Sequence, residues 1–478
     1  MITYIKIHGF KSFHNFEMVF TPLTVVAGVN ASGKSNLFDA LQLLTRLAEV
    51  DLKTAFSEQR GHPSELFTQY DEDDYATEME FIVEMLVNRK VKDNWGGEVD
   101  LKYTRLRYQL KIKRESNIIG FENLYIVDER LENLKHQEDN WVKDYIPKTV
   151  LETWRPKVVT GRRTFPYIQT EDINGITTIV VHQDGQQGNK KVFPAKNASQ
   201  TVLSSINTID FKHILAAKQE MLSWKFMQLN PEDLREPTRQ DMGIRDTITA
   251  SGKNLAAALF RIKQDDEYTL TAISRDLNNL LPNLTEVNVY DDKANRQFII
   301  KVKGDDNREF SSRVLSEGTL RLLTLCVLQY DRQHTGLLCF EEPENGIHPF
   351  RIEAMAKLLK ELTVDFKDTE MPLRQVIVNT HSPVLVSQLI NWQDDKNVSI
   401  WLSQLTTIIS TIEGKRIKMK SSNFHPVIKE DQKRLTLFSS FSEENEVKLT
   451  LSEVVEYLKT ADAESAIKNI KNQQNQLT

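Results

Sequence analysis

Alternating apolar and polar residues open the chain. Residues 2–8, ITYIKIH, carry apolar side chains at every second position, which predicts a strand with one buried face. Residues 21–27, TPLTVVA, predict a buried strand that runs into a glycine-containing loop, and leucines three and four apart predict a helix over about 35–49. Further strands are predicted at 78–87, 104–113 and 123–131, so we expect the first 130 residues to form one mixed sheet.

The pattern weakens in the middle of the chain. Residues 132–245 are polar and irregular, apart from a helix predicted over about 210–228. A further helix is predicted to open at Ser251, which offers an N-cap before the apolar stripe of NLAAALFRI, and the helical pattern continues over 268–281. The segments TEVNVY and QFIIKVK then predict two strands joined by a turn.

Helices and strands alternate from residue 315 onward. GLLCFE and QVIVNT predict short buried strands, and RIEAMAKLLKEL predicts an amphipathic helix. Alternation of this kind is typical of a parallel sheet in an α/β fold. Residues 396–419 are interpreted as three short strands, and the tail from residue 452 as a helix that ends in a polar fray.

Composition narrows the class of protein. The 478 residues are 40% hydrophobic and carry a net charge of -6, which argues against a chain coated in basic charge but leaves a local basic patch open. The two cysteines, Cys326 and Cys339, lie in apolar runs and are expected to be buried thiols, which fits a reducing compartment. Without a run of about 18 apolar residues, no membrane span is expected, and we expect a cytoplasmic protein.

One segment has the spacing of a phosphate-binding loop. It follows the strand at 21–27, precedes the predicted helix, and reads Gly28-Val29-Asn30-Ala31-Ser32-Gly33-Lys34-Ser35. Glycines let backbone amides close around phosphates, and the start of a helix adds partial positive charge. Lys34 is expected to reach the β- and γ-phosphates, and Ser35 to hold Mg²⁺.

Three later segments could complete the chemistry. Glu341 and Glu342 follow a buried strand, where one carboxylate can orient Mg²⁺ and the other can activate water. Ser316, in LSEGT, precedes an apolar helix, which fits plain helix capping as well as a contact with a γ-phosphate. His381, in THSP, ends the QVIVNT strand, at the sheet edge where ligands bind.

The order of these motifs resembles that of the ABC ATPase superfamily, and within it the RecF/SMC/OLD group. IKIHGFKSF resembles the opening segment of the group, LSEGT its signature loop, and EEPENGIHP its combined Walker B motif and D-loop. The resemblance covers about 1–88 and 250–390. It implies an ABC-type P-loop ATPase head of the α/β class, with a mixed-sheet lobe, a parallel-sheet lobe and an inserted α+β region.

The resemblance also implies roles for particular residues. Glu342 would be the catalytic base, His381 the switch histidine and Lys34 the phosphate-binding lysine, while Ser35 and Glu341 would hold Mg²⁺. Glu341 takes the usual place of an aspartate, and no Q-loop glutamine can be placed. The residues implied to contact ATP, some of them across a dimer, are Gly28, Asn30, Ala31, Ser32, Gly33, Lys34, Ser35, Asn36, Lys11, Ser12, Ser316 and Gly318.

The spacing between the motifs suggests a subgroup within the RecF/SMC/OLD group. Lys34 and Ser316 are about 280 residues apart, a longer gap than in transporter domains, and the gap holds no long coiled coil. The 97 residues after His381 lack the acidic cluster of a TOPRIM nuclease. The chain therefore resembles compact OLD-like and Septu-like antiviral ATPases that control a separately encoded effector; a RecF-like DNA-repair ATPase and an ATP-clamped scaffold remain alternatives.

Four parts and several partners are expected. Residues 1–130 and 282–395 would form the ATPase head, 131–281 an insertion, and 396–478 a partner-binding extension. The implied partners are a second copy of the chain and a separately encoded effector of nuclease type, and DNA is left open as a third. Arg162 and Arg163 are expected to belong to a surface that meets nucleic acid or a partner, with two solvated loop arginines as the alternative.

Overall fold

The computed structural model describes residues 1–71, 74–116, 122–158, 163, 165–184, 190–240, 246–392, 394–412, 415–428 and 449–461. The strands are β1 (Ile2–His8), β2 (Phe16–Val19), β3 (Leu23–Ala27), β4 (Glu78–Leu86), β5 (Lys90–Lys92), β6 (Glu98–Asp100), β7 (Arg105–Ser116), β8 (Glu122–Asn133), β9 (Ile168–Ile173), β10 (Ile176–His182), β11 (Lys190–Pro194), β12 (Lys225–Met227), β13 (Thr238–Arg239), β14 (Leu284–Asp292), β15 (Gln297–Gly304), β16 (Glu309–Ser311), β17 (Gly336–Glu341), β18 (Arg374–Thr380), β19 (Val398–Ile412), β20 (Lys415–Ile428) and β21 (Leu449–Thr450).

The helices connect and cover these strands. They are α1 (Lys34–Leu47), α2 (Leu52–Ser57), α3 (Asn140–Tyr145), α4 (Leu151–Trp154), α5 (Val202–Ser205), α6 (Lys212–Leu222), α7 (Pro231–Arg235), α8 (Leu255–Asp265), α9 (Glu267–Leu280), α10 (Glu317–Tyr330), α11 (Ile352–Glu361) and α12 (Pro383–Gln388). Residues 451–461 are also helical. Within the described residues, no helix is long and apolar enough to cross a membrane.

Two large sheets organise the described residues. The first is antiparallel throughout, in the order β11-β10-β9-β8-β7-β4-β1-β2. The second has the order β12-β17-β18-β3-β19-β20-β21, and its strands from β12 to β19 are parallel. A smaller sheet of β13 to β16 lies beside the helices that precede the signature segment.

The central strands β3, β17 and β18 of the second sheet are buried on both faces, which explains their largely apolar sequence. In β17, Leu337 and Cys339 pack into the core shared with α1 and the antiparallel sheet. Leu338 and Phe340 point the other way, into the core shared with α8, α10 and α11. Both cysteines are buried free thiols, as expected. The carboxyl ends of β3, β17 and β18 therefore meet at one edge of a rigid sheet.

Several sequence-based expectations about individual elements are wrong. The first 130 residues do not form one sheet, because β3 pairs with β18 and β19 in the second sheet. The polar segment 132–245 contains β9, β10 and β11, which extend the first sheet, and the helix expected to reach residue 228 ends at Leu222 because β12 follows. The helix expected to start at Ser251 is α8, which starts after Asn254 without a side-chain cap.

The C-terminal segment differs most from its expectation. Instead of three short strands over 396–419, β19 and β20 form one long hairpin. Its first strand, β19, pairs with β3. The segment contains a single glycine, Gly414, so nothing interrupts the strand pattern before it. The sheets cross the boundaries expected at residues 130 and 281, and the four-part division stays a proposal.

Candidate nucleotide site

The loop between β3 and α1 is built to surround a phosphate chain. Ala31 and Gly33 have positive φ angles of 62° and 96°, which turn the backbone tightly before α1 begins at Lys34. The first amides of α1 have no acceptor within the helix, so they are available to an anion. Ser32 is buried, while Asn30 and Ala31 are exposed on the outside of the loop.

Lys34 closes over this loop. Its Nζ donates to the carbonyl oxygens of Gly28 (2.7 Å) and Val29 (2.8 Å). Burial lowers the pKa of Lys34 to about 8, although Glu342, Glu341 and Glu344 act to raise it. The nearby carboxylates therefore offset only part of the cost of burying the Lys34 ammonium. Phosphate oxygens can supply further negative charge, so the ammonium is suited to bind them.

We expect ATP binding to weaken above about pH 8 for this reason. Phosphate binding favours the charged form of Lys34, so a complex formed above the pKa of the free protein must first take up a proton. The dissociation constant should rise by up to about tenfold per pH unit between pH 8 and 9.5. Titration of a non-hydrolysable ATP analogue from pH 7 to 9.5 measures this, and a constant affinity across that range would contradict it.

Side-chain oxygen atoms from α1, β17 and β18 meet next to the loop. Ser35 Oγ donates to Glu341 Oε1 at 2.7 Å, and Asn379 Nδ2 lies 3.5 Å from Ser35 Oγ. Asn379 Oδ1 is buried and has no hydrogen-bond partner within the described residues. A hydroxyl, a carboxylate and an amide oxygen are the hard donors that Mg²⁺ prefers, so these residues fit a magnesium site. When bound, Mg²⁺ offsets the charge of the β- and γ-phosphates.

Glu342 lies just beyond the end of β17 in an unusual backbone conformation. Its φ angle is 48°, and its amide donates to the carbonyl of Asn379 at 2.8 Å. Its carboxylate contacts His381 Nδ1 (2.7 Å) and accepts from Asn345 Nδ2 (2.8 Å). A left-handed glutamate is strained, and such strain is typical of residues held for function. The contacts fix a carboxylate where it could orient and deprotonate a water molecule.

Glu344 lies next to this pair but is more deeply buried. Its carboxyl contacts the hydroxyl of Thr380, and burial raises its pKa. This contact joins the segment after β17, residues 342–349, to the end of β18. The role of Glu344 is therefore structural, and we call this segment the D-loop. The sequence pattern EEPE gives no sign of this difference between Glu342 and Glu344, because both are glutamates in one exposed-looking loop.

The signature segment leads into α10. Ser316 caps the helix, with its Oγ accepting from Thr319 N at 3.3 Å. Gly318 packs against the D-loop so closely that an added Cβ would lie 2.7 Å from Gly346 O. Among the described residues, no hydrogen bond or ion pair joins Ser316 or Gly318 to residues 28–36. Within the described residues of one chain, no polar contact of this kind joins the two motifs.

Lys11 and Ser12 lie beside the loop with partners of their own. Lys11 Nζ forms an ion pair at 2.6 Å with Asp39, a residue of α1. The positive charge of Lys11 is therefore paired with a carboxylate of that helix. Ser12 Oγ accepts from Asn36 Nδ2 at 2.7 Å and contacts Ser422 Oγ at 2.7 Å. Ser12 and Asn36 thus meet next to Gly33, together with Ser422. Sequence reasoning did not include Ser422 in the site.

Sequence reasoning also missed Asn379 and Asn345. Asn379 lies opposite Glu341 in the pairing of β17 with β18, and Asn345 Nδ2 donates to Glu342 Oε2. Gln228 directly follows β12, the neighbour of β17 in the sheet, but its side chain is exposed and makes no hydrogen bond to Ser35 or Glu341 within the described residues. A Q-loop glutamine therefore stays unplaced.

Arg163 has an internal role, and Arg162 lies outside the described residues. The Arg163 side chain donates to the carbonyl oxygens of Phe165 (2.8 Å) and Gln183 (3.2 Å) and lies over the ring of Tyr167, 4.0 Å from its centroid. These contacts explain Arg163 as a loop anchor, and they give no support to a nucleic-acid surface at this place.

The fold and this geometry define a P-loop nucleotide-binding protein of the α/β class. A family model described as an AAA ATPase domain matches residues 1–386, so the chain belongs to the AAA ATPase domain family. The match confirms the predicted fold class and supports a role in binding and hydrolysing ATP. A comparison with proteins of curated function finds no match.

Solved structures similar to this chain include three SMC heads. One, bound to the C-winged helix domain of ScpA, is 14% identical with a TM-score of 0.46, over 90% of this chain and 99% of that one. The SMC head domain from Thermotoga maritima is 12% identical with a TM-score of 0.36, over 89% and 98%. The Smc head domain with a coiled coil and joint from Pyrococcus yayanosii is 10% identical with a TM-score of 0.42, over 96% and 99%.

Proposed function

We propose that this chain hydrolyses ATP with Glu342 as the general base. The observation that carries the proposal is the convergence of Ser35, Glu341, Glu342 and His381 at one sheet edge, beside the Lys34 loop. Lys34 and the first amides of α1 bind the phosphates, and Ser35 and Glu341 hold Mg²⁺. Glu342 takes a proton from the attacking water, and His381 orients that carboxylate and contacts the γ-phosphate.

Phosphate release by the purified full chain tests this proposal. The chain should release phosphate from Mg-ATP, and removal of Mg²⁺ with a chelator should stop the reaction. A protein that binds ATP but releases no phosphate, alone or with DNA, would favour the ATP-clamped scaffold and contradict the hydrolase.

We further propose that two copies enclose ATP, with the P-loop of one facing the signature of the other. The proposal is supported by the absence of any hydrogen bond or ion pair between the two motifs within the described residues of one chain. Exposed apolar side chains flank three of the motifs: Val314 (69% exposed) precedes the signature, Phe350 (91%) follows the D-loop, and Val384 (39%) follows His381. Exposed apolar residues beside each of these motifs support a protein interface that includes them.

The wider role we propose is control of a separately encoded effector in an antiviral defence complex. Among the described residues, no group of three or more His, Cys, Asp or Glu could hold a metal ion. In this proposal the chemistry directed at a target lies on another chain. Co-purification of the product of the neighbouring gene, and its activation only with ATP, is the test; an effector equally active without this chain would contradict it.

A cluster of arginines favours DNA contact as a second candidate function. Arg239, Arg296 and Arg313 come from three different elements and line a cavity of about 560 Å³. Within the described residues, none of the three has an ion pair. The nearby Asp291 and Asp292 instead accept from the amides of glutamines. Forked guanidinium groups without carboxylate partners suit phosphate oxygens.

We expect the triple alanine variant of this arginine cluster to bind DNA more weakly. If each guanidinium contacts one phosphate, the salt dependence of log K should fall by about 0.9 per contact, or nearly three in all. The matched control replaces three ion-paired arginines, Arg46, Arg130 and Arg308. Equal affinity and equal salt dependence in both triple variants would contradict DNA contact at this site.

A further inference from the structure

The hairpin of β19 and β20 lies next to the nucleotide loop, although the family match ends at residue 386. β19 pairs in parallel with β3, and Leu402 lies opposite Ala27, the last residue before the loop. Ser403 therefore begins the part of β19 that runs alongside the loop. In β20, Ser422 is one step diagonal to Ser403 on the same face of the hairpin.

These two serines hold the same carbonyl group. Ser403 Oγ donates to Ser32 O at 2.9 Å, and Ser422 Oγ donates to the same oxygen at 3.0 Å. Both serines are fully buried. Two hydroxyl donors on one buried carbonyl fix the peptide between Ser32 and Gly33, which leads directly into the phosphate-binding amides of α1.

The loop and the hairpin are also in close steric contact. A Cβ added to Gly33 would lie 1.8 Å from Ser422 Oγ, and one added to Gly28 would lie 2.7 Å from Ser403 O. The amide of Ser422 donates to Ser12 O at 2.9 Å, which ties the hairpin to the segment after β1. The glycines of the loop thus make room for the hairpin as well as for phosphate.

We propose that Ser403 and Ser422 are positioning residues of the nucleotide site, and that the hairpin is part of that site. The hydroxyls hold the loop in its phosphate-binding shape before ATP arrives, so less ordering is needed on binding. This inference rests on the proposed ATP binding. The hairpin does not hold Glu342 or His381, which β17 and β18 carry, so its role is in binding and not in the chemical step.

Ser421 provides a matched control. It lies next to Ser422 in β20 and is equally buried, but its Oγ has no hydrogen-bond partner in the described part of the chain. Ser421→Ala therefore removes the same atom from the same strand without releasing the loop. Any general effect of a smaller side chain in the hairpin should appear in this variant too.

The first test is ATP binding and turnover in the double variant Ser403→Ala, Ser422→Ala. We expect the dissociation constant for ATP to rise by roughly tenfold, while kcat at saturating ATP stays within about twofold. The single variant Ser403→Ala should show roughly a threefold weakening and serves if the double variant does not fold. A double variant with the ATP affinity of Ser421→Ala would overturn the proposal.

A second measurement separates this inference from the proposed function. Amide hydrogen exchange of residues 28–36, measured without nucleotide, should speed up by roughly tenfold in the double variant and stay unchanged in Ser421→Ala. This result does not depend on ATP binding. Unchanged exchange in the double variant would overturn the proposal even if the chain is an ATPase. Failure of the wild type to bind ATP would instead overturn the proposed function, on which the inference rests, and would do so whatever the exchange rates are.

Discussion

Glu342→Gln is expected to slow ATP hydrolysis by about 10²–10⁴-fold while ATP binding is kept. Glutamine has nearly the same shape as glutamate, so the contacts with Asn345 and His381 can largely persist. It cannot accept the proton of the attacking water, which removes general-base catalysis. Because ATP then stays intact, the variant should also accumulate as an ATP-bound dimer.

Steady-state phosphate release and binding of a fluorescent ATP analogue measure the two effects separately. Glu353→Gln, an exposed glutamate on α11, is the matched control and should turn over like the wild type. Wild-type turnover in Glu342→Gln would contradict the assignment of the base, and Glu341, at the Mg²⁺ position, would then be the next residue to replace.

Lys34→Ala is expected to abolish detectable ATP binding, with a loss of roughly 10²-fold or more. The ammonium is buried at the loop, and alanine leaves the phosphate charge without its nearest cation. Ser316→Arg should act differently, because the described residues show no hydrogen bond between Ser316 and the loop of its own chain, and we propose that Ser316 acts on the ATP of the partner. It should leave ATP binding intact but stop hydrolysis, since an arginine cannot fit against the γ-phosphate of the partner's ATP.

Equilibrium titration of each variant with a non-hydrolysable analogue checks this contrast. An unchanged affinity in Lys34→Ala would contradict the assignment of the phosphate-binding loop. Full hydrolysis by Ser316→Arg would mean that this segment only caps α10, which is the simpler interpretation of its hydrogen bond to Thr319.

Motifs with local physical signals could be predicted from the sequence. The loop at 28–35 stands between a buried strand and a helix, and Glu341 ends an apolar strand, so both were placed on the correct elements. The parallel sheet followed from apolar strands that alternate with helices. In each case the residues that define the element are neighbours in the chain.

Contacts between distant segments could not be predicted in this way. Ser403 and Ser422 are 371 and 390 residues from Ser32, and nothing in their local sequence distinguishes them from the unpartnered Ser421. The strands β9 and β11 were missed for different reasons. β9, IQTEDI, is largely polar, whereas β11 lies at the sheet edge with all its residues exposed, so burial imposes no pattern on it.

Mixing Lys34→Ala with Ser316→Arg tests the central claim most directly, namely that two copies share each ATP site. Each variant alone should be inactive. In a mixed dimer both lesions can fall in one site, which leaves the other site with an intact loop and an intact signature, so phosphate release should partly return. If an ATP-dependent mixed dimer is shown to form but phosphate release does not return, the two shared sites do not act independently. If neither the wild type nor Glu342→Gln forms an ATP-dependent dimer at any concentration, the shared site itself is contradicted.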